Sequence, residues 1–125
     1  MAPMIVSPSG MFGLELRSEV ESRGGREVEY LRPVIVATEG GEVFRAPDRI
    51  AGWFRYAVAW DEQDRAWISS ADSGTTVLVR SADGSWSRAA WDPDVAAETI
   101  WDASTGEDLP VLRDPPPPEI GREGR

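Results

Sequence analysis

The sequence predicts an α+β or mainly β protein: an antiparallel β-meander of six or seven strands, as a sheet or small barrel, with one C-terminal helix and a Pro-rich tail. Three observations lead there. Apolar and polar residues alternate with a period of two through much of the chain. Clusters of turn formers (Gly24-Gly25, Gly40-Gly41, Asp61 to Asp64, Ser70 to Gly74, Ser81 to Gly84) punctuate the alternating runs. One segment, opened by Asp92-Pro93, carries a helix-start signal instead.

In residues 12–20, Phe12, Leu14, Leu16 and Val20 fall on one face, with Glu15, Arg17, Glu19 and Glu21 on the other, the pattern of a half-buried strand. Gly24-Gly25 breaks it, and residues 27–38 read as a second strand in which Pro33 predicts an edge or a bulge. After Gly40-Gly41 a short third strand starts at Val43-Phe44. Residues 47–60 fit two periods: Ile50, Trp53, Phe54 and Ala57 make a helical face, whereas Phe54, Tyr56, Val58 and Trp60 alternate. The polar turn Asp61-Glu62-Gln63-Asp64, followed at once by Ala66-Trp67-Ile68-Ser69, favours a short helical turn near 47–52 and then a strand over 53–60.

From there the pattern is a meander, with strands at 65–70, 75–81 and 86–91 and turns at 71–74 and 82–85. Asp92 suits an N-cap and Pro93 the first helical position, so a helix is expected to about Ser104, with Gly106 as its stop. Beyond Leu112 the run Pro115 to Pro118 predicts an extended polyproline arm. The expected organisation is one globular domain over 1–113 and an arm over 114–125.

Composition narrows the chemistry. The 125 residues contain no His, Cys, Lys or Asn. No side chain has an unperturbed pKa near neutrality, and there is no thiolate, Schiff-base amine or imidazole ligand. The expectation is a protein that is not an enzyme and holds no cofactor or metal. The carboxylates of Asp61–Asp64 and Asp92–Asp94 do not have the spacing of an EF-hand loop. All 13 basic residues are Arg against 22 acidic ones, for a net charge of −9. Such a charge repels nucleic-acid phosphates and anionic membranes, so the expected partner is a protein with a basic surface, with self-assembly left open. The N-terminus has no basic region ahead of an apolar core, and no apolar stretch approaches the roughly 18 residues of a membrane span. The expected location is the cytoplasm, or a particle assembled there.

Three motifs stand out. Ser70-Ala71-Asp72-Ser73-Gly74-Thr75-Thr76-Val77 resembles the Asp-box, S-x-D-x-G-x-T followed by an aromatic residue, with Val77 in the aromatic position. That motif is a hairpin turn of sialidase-type propellers and several unrelated folds, and it implies a structural role for Ser70, Asp72, Gly74 and Thr76. Trp-Asp occurs at Trp60-Asp61, Trp91-Asp92 and Trp101-Asp102, 31 and 10 residues apart; WD repeats are spaced by about 40–45. The six Trp are expected mainly in the core, the other use being a sugar-stacking platform.

The sharpest charge feature lies between Arg88 and Arg113, an interval without a basic residue. On the expected helix Asp94, Glu98 and Asp102 form one acidic stripe, although like charges at that spacing oppose helix formation. With the turn carboxylates Asp61, Glu62 and Asp64 they are the candidate partner-binding residues. Three functions fit: a non-catalytic acidic interaction module of the inhibitor or immunity type, masking a basic surface of its target; a structural subunit of a larger assembly such as a phage particle; or a carbohydrate-binding or carboxylate-based hydrolytic domain.

Overall fold

The computed structural model describes residues 4–71, 74–94, 99–102, 107–112 and 120–123. Among these, every regular element is a strand: β1 (Ile5–Val6), β2 (Phe12–Arg23), β3 (Arg26–Ala37), β4 (Glu42–Arg45), β5 (Ile50–Ala51), β6 (Tyr56–Trp60), β7 (Ala66–Ser70), β8 (Gly74–Arg80), β9 (Trp86–Trp91), β10 (Thr99–Asp102), β11 (Glu107–Leu112) and β12 (Ile120–Glu123). They form two sheets. The first is five-stranded, in the order β1-β2-β3-β4 with β5 also on β3; the second is seven-stranded, in the order β10-β11-β9-β8-β7-β6-β12. No helix of the described residues is long and apolar enough to cross a membrane.

The sheets share one core. Phe12, Leu14, Ile35 and Ile50 from the first meet Val58, Trp60, Ile68, Leu78 and Trp86 from the second. Alternation explains why these residues point inward. Trp86 anchors the contact, edge-on to Phe12 (centroids 5.1 Å apart) and to Trp60 (6.3 Å). The Trp60 indole donates to the Ile5 carbonyl at 2.7 Å, so its one polar group is satisfied where it is buried. On the opposite face of the second sheet Trp67, Val77 and Ala89 form a smaller buried cluster with Trp91 and Leu112.

Among the described residues the expected C-terminal helix is not present, and the fold class is corrected to all-β. Asp92 does cap a turn: its Oδ1 accepts the Asp94 amide at 2.9 Å. The chain then forms a hairpin, with Thr99 opposite Pro110 and Asp102 opposite Glu107. Asx-Pro opens turns as readily as helices. Thr99, Ile100 and Trp101 are β-branched or aromatic and favour a strand. The expected helical turn near 47–52 is likewise replaced, by β5.

Pro33 sits neither at a sheet edge nor in a bulge. It lies within β3, opposite Leu16 of β2. On its other side β4 has ended at Arg45 and β5 has not yet begun at Ile50, so the missing N–H falls in that gap. The loop across the gap is held by Ala46 N–H donating to the Pro33 carbonyl (2.9 Å) and Arg32 Nη1 donating to the Ala46 carbonyl (2.8 Å). This loop carries Asp48. At the far end of the chain, β12 pairs antiparallel with β6, Ile120 opposite Val58, and so forms an edge of the second sheet. The expected polyproline run lies outside the described residues.

Candidate functional site

The feature that departs most from a plain two-sheet sandwich is the hairpin of β2 and β3, each of 12 residues. They pair without interruption from Phe12↔Ala37 to Arg23↔Arg26. The turn is Gly24-Gly25, both at positive φ (58° and 78°), the geometry of a tight two-residue hairpin turn. Burial falls along the hairpin. Phe12, Leu14, Val34 and Ile35 are in the core, whereas no residue from Ser18 to Glu29 is buried and Val20 is 60 % exposed. The outward half is therefore an arm.

An isolated two-stranded ribbon is marginal in water, and two sets of contacts stiffen this one. On one face Arg and Glu side chains interlock. Arg32 binds Glu19 through two nitrogens (2.6 and 3.2 Å); Arg49 reaches both Glu19 (3.4 Å) and Glu21; Arg17 joins Glu15 to Glu42, each at 2.9 Å. At the root, Tyr30 is clamped between the Arg49 guanidinium, 4.0 Å from its ring centroid, and Trp53, packed edge-on at 5.4 Å. Gly52 fits closely where this root joins β3. Its N–H donates to the Glu29 carbonyl at 2.9 Å, and a Cβ there would lie 3.0 Å from that same oxygen. Trp53 (49 % exposed) continues into Phe54 (40 %), leaving an aromatic surface beside an open groove of about 500 Å³ lined by Arg23, Arg26, Val28 and Gly52.

The charge network fixes a pH dependence. Hydrogen bonding from Arg32 holds the Glu19 carboxyl below its ordinary value, from Arg49 that of Glu21, and from Arg45 that of Glu42. A carboxyl lowered in the folded state adds stability that is complete above its unfolded pKa, about 4.3 for Glu, and lost as pH falls through the lowered value. Thermal melts should be flat between neutrality and roughly pH 5, then fall progressively below roughly pH 4. Because these groups are partly solvated, added salt should blunt the effect. A melting temperature indifferent to acid would show that the network contributes nothing.

A second polar feature lies between the sheets. Arg88 of β9 points inward opposite Leu78 with its side chain only 7 % exposed, and it forms an ion pair with Asp48, whose side chain is 41 % exposed. The pair borders a cleft of about 530 Å³ that Thr76, Pro47 and Leu109 also line.

Of the described residues singled out from sequence, Asp61, Glu62 and Asp64 share one turn, between β6 and β7. Asp61 is engaged within its own turn: Oδ1 accepts the amides of Gln63 (2.9 Å) and Arg65 (3.0 Å), and Oδ2 accepts the Arg65 guanidinium (2.6 Å) and the Trp67 indole (2.8 Å). Burial opposes its ionisation, but these donors outweigh burial and hold its pKa down. Asp64, at φ 57°, ties the turn to the N-terminal loop through Ser7 (3.3 Å) and Ser9. Glu62 and Asp94 are exposed. Asp102 is in β10, so it shares no helical stripe with Asp94, and Glu98 lies outside the described residues. In the Asp-box-like segment, Ser70 pairs with Gly74 across the turn, Gly74 has φ 84°, and Thr76 is opposite Ile68; Asp72 lies outside the described residues. Among the described residues no three acidic side chains converge as metal ligands. Of the Trp residues, Trp60, Trp67 and Trp86 are buried, while Trp53, in the turn after β5, and Trp101, in β10, are exposed.

Sequence reasoning missed the arm, although a signal was there. After Leu16 the inward positions of β2 become Ser18, Val20 and Ser22 while the alternation of charges continues, which marks a strand that has run past its core. In comparisons with known proteins, the chain matches no family model, no curated protein and no solved structure.

Proposed function

We propose that this chain is a non-catalytic protein-interaction module that serves as a structural subunit of a larger assembly, with the β2–β3 arm as its contact element. One observation carries the reading: the arm buries nothing in the core between Ser18 and Glu29, yet an Arg–Glu network and a Tyr30–Trp53–Arg49 clamp brace it. A braced arm has little ordering entropy left to lose on docking. Trp53 and Phe54 at its root supply the exposed aromatic surface that interfaces concentrate.

The test replaces Val20–Glu29 by Asn-Gly, joining Glu19 to Tyr30 across a two-residue turn. These two residues already face each other, so the shortened hairpin can close without strain. The variant should melt within a few degrees of the full chain. It should also leave the large complexes that the full chain enters in its native host, as read by size fractionation and cross-linking. A shortened chain that still enters those complexes would remove the arm from the interface.

A second reading retains the basic partner. The net charge is −9, and Glu62, Asp94 and Asp108 are exposed. It is supported if the association rate with the native partner falls steeply with salt while the shortened arm has no effect.

A further inference from the structure

The free edge of β2 can be read atom by atom. The Phe12 carbonyl accepts from Ser7 N–H (2.8 Å) on the β1 side, and the Met11 carbonyl accepts from Thr38 N–H (3.0 Å) on the β3 side. β2 pairs with β3 with no register shift, so the alternation persists to the tip. Leu16, Ser18, Val20 and Ser22 therefore aim their N–H and C=O groups away from β3. β1 covers that edge only at Gly13 and Leu14, and no other described strand pairs there.

Sheet edges are usually protected by Pro, a bulge or charge. This one has neither Pro nor bulge, and its charges are ordered. Glu15, Arg17, Glu19, Glu21 and Arg23 follow one another on a single face. If the edge pairs antiparallel with a second copy of itself, outward-pointing residues must face outward-pointing residues, which leaves only registers that differ by whole steps of the axis. An axis at Glu19 sets Glu15 against Arg23 and Arg17 against Glu21 on both sides of the two-fold. The one like pair, Glu19 with Glu19, already has Arg32 and Arg49 bound to each member. An axis at Ser18 instead opposes Glu15 to Glu21, which offsets its Arg17–Glu19 pairs. An axis at Val20 opposes Arg17 to Arg23 and Glu19 to Glu21. Opposite charges across strands stabilise by ~0.2–1 kcal/mol a pair and like charges destabilise, so the pattern favours the axis at Glu19, which makes the most opposite-charge pairs.

We propose that β2 is a homotypic interface: two copies of this chain join edge to edge through antiparallel β2 strands about a two-fold axis at Glu19, fusing their first sheets into one. The occupant is a second copy because the charge sequence complements its own reversal. The pairing is isologous and adds main-chain hydrogen bonds to side-chain complementarity. It rests on reading the arm as an assembly element, and it names that element's partner.

Sedimentation of the full chain over a wide concentration range should show a monomer–dimer equilibrium. Val20→Pro removes an outward N–H and leaves the β3 ladder intact, so it should give a monomer that melts like wild type. Arg17→Glu should weaken the dimer by about tenfold or more, and adding Glu21→Arg should restore it. The chain has no Cys, so Glu19→Cys places one thiol on each side of the axis. A non-hydrogen-bonded pair brings the two Cα atoms to about 4.5 Å, within disulfide reach, and mild oxidation should yield a covalent dimer. Ser22→Cys, off the axis, should not. If Val20→Pro disturbs folding, the cysteine pair decides alone. A chain that stays monomeric at every concentration, or a Glu19→Cys variant that does not cross-link, overturns the proposal. If the shortened arm abolishes assembly but Val20→Pro does not, the arm remains the contact element and self-pairing is excluded.

Discussion

Asp61→Ala is expected to destabilise the protein by about 3 kcal/mol and to lower Tm by about 10 °C. The carboxylate receives two backbone amides, a guanidinium and an indole within one turn. Hydrogen bonds to a charged group contribute about 1.5–3 kcal/mol each, though not additively. The largest loss is at Trp67, only 3 % exposed, whose N–H would be left in the interior without its acceptor. Asp61→Asn keeps an acceptor for the turn amides and should cost about half as much. Urea or thermal unfolding of both variants gives the comparison. An Asp61→Ala protein of unchanged stability that loses its partner would instead return Asp61 to the binding surface.

The ion pair between the sheets should respond asymmetrically. Asp48→Ala withdraws the carboxylate from a guanidinium that is 7 % exposed, and the expected cost is about 2–3 kcal/mol. Arg88→Met leaves Asp48, which at 41 % exposure can turn to water, and fills the site with an apolar side chain of similar length; about 1 kcal/mol is expected. The double variant should resemble Arg88→Met alone, so the cycle should show a coupling of about 2–3 kcal/mol, the whole of the Asp48→Ala loss. Additive losses would mean that the pair exerts no mutual effect.

Both predictions turn on residues whose roles the sequence shows only in part. Trp60-Asp61 was legible as a strand ending at a turn, but not that Asp61 reaches Trp67 on the next strand. Asp48 and Arg88, forty positions apart, carry no mark of each other. Of the candidate binding residues, the acidic stripe depended on a helix, and Asp102 lies instead in a strand.

The sequence by itself determined the strands of the meander. Ala66–Ser70, Gly74–Arg80 and Trp86–Trp91 fall where alternation and turn residues put them, because pleat period and turn chemistry are local. It also determined which catalytic chemistries have no side chains to run on. Only the tertiary structure decided the rest: two sheets instead of one, β2 and β3 continuing past their core, Thr99–Asp102 as a strand, and Ile120–Glu123 on the edge of β6. The reason is common to all four. A period of two says which face of a strand is apolar, but not which other strand covers it or whether any does. Around Asp92 the local preferences for helix and strand are nearly balanced, so pairing with Glu107–Leu112, a contact made in space, settles the outcome.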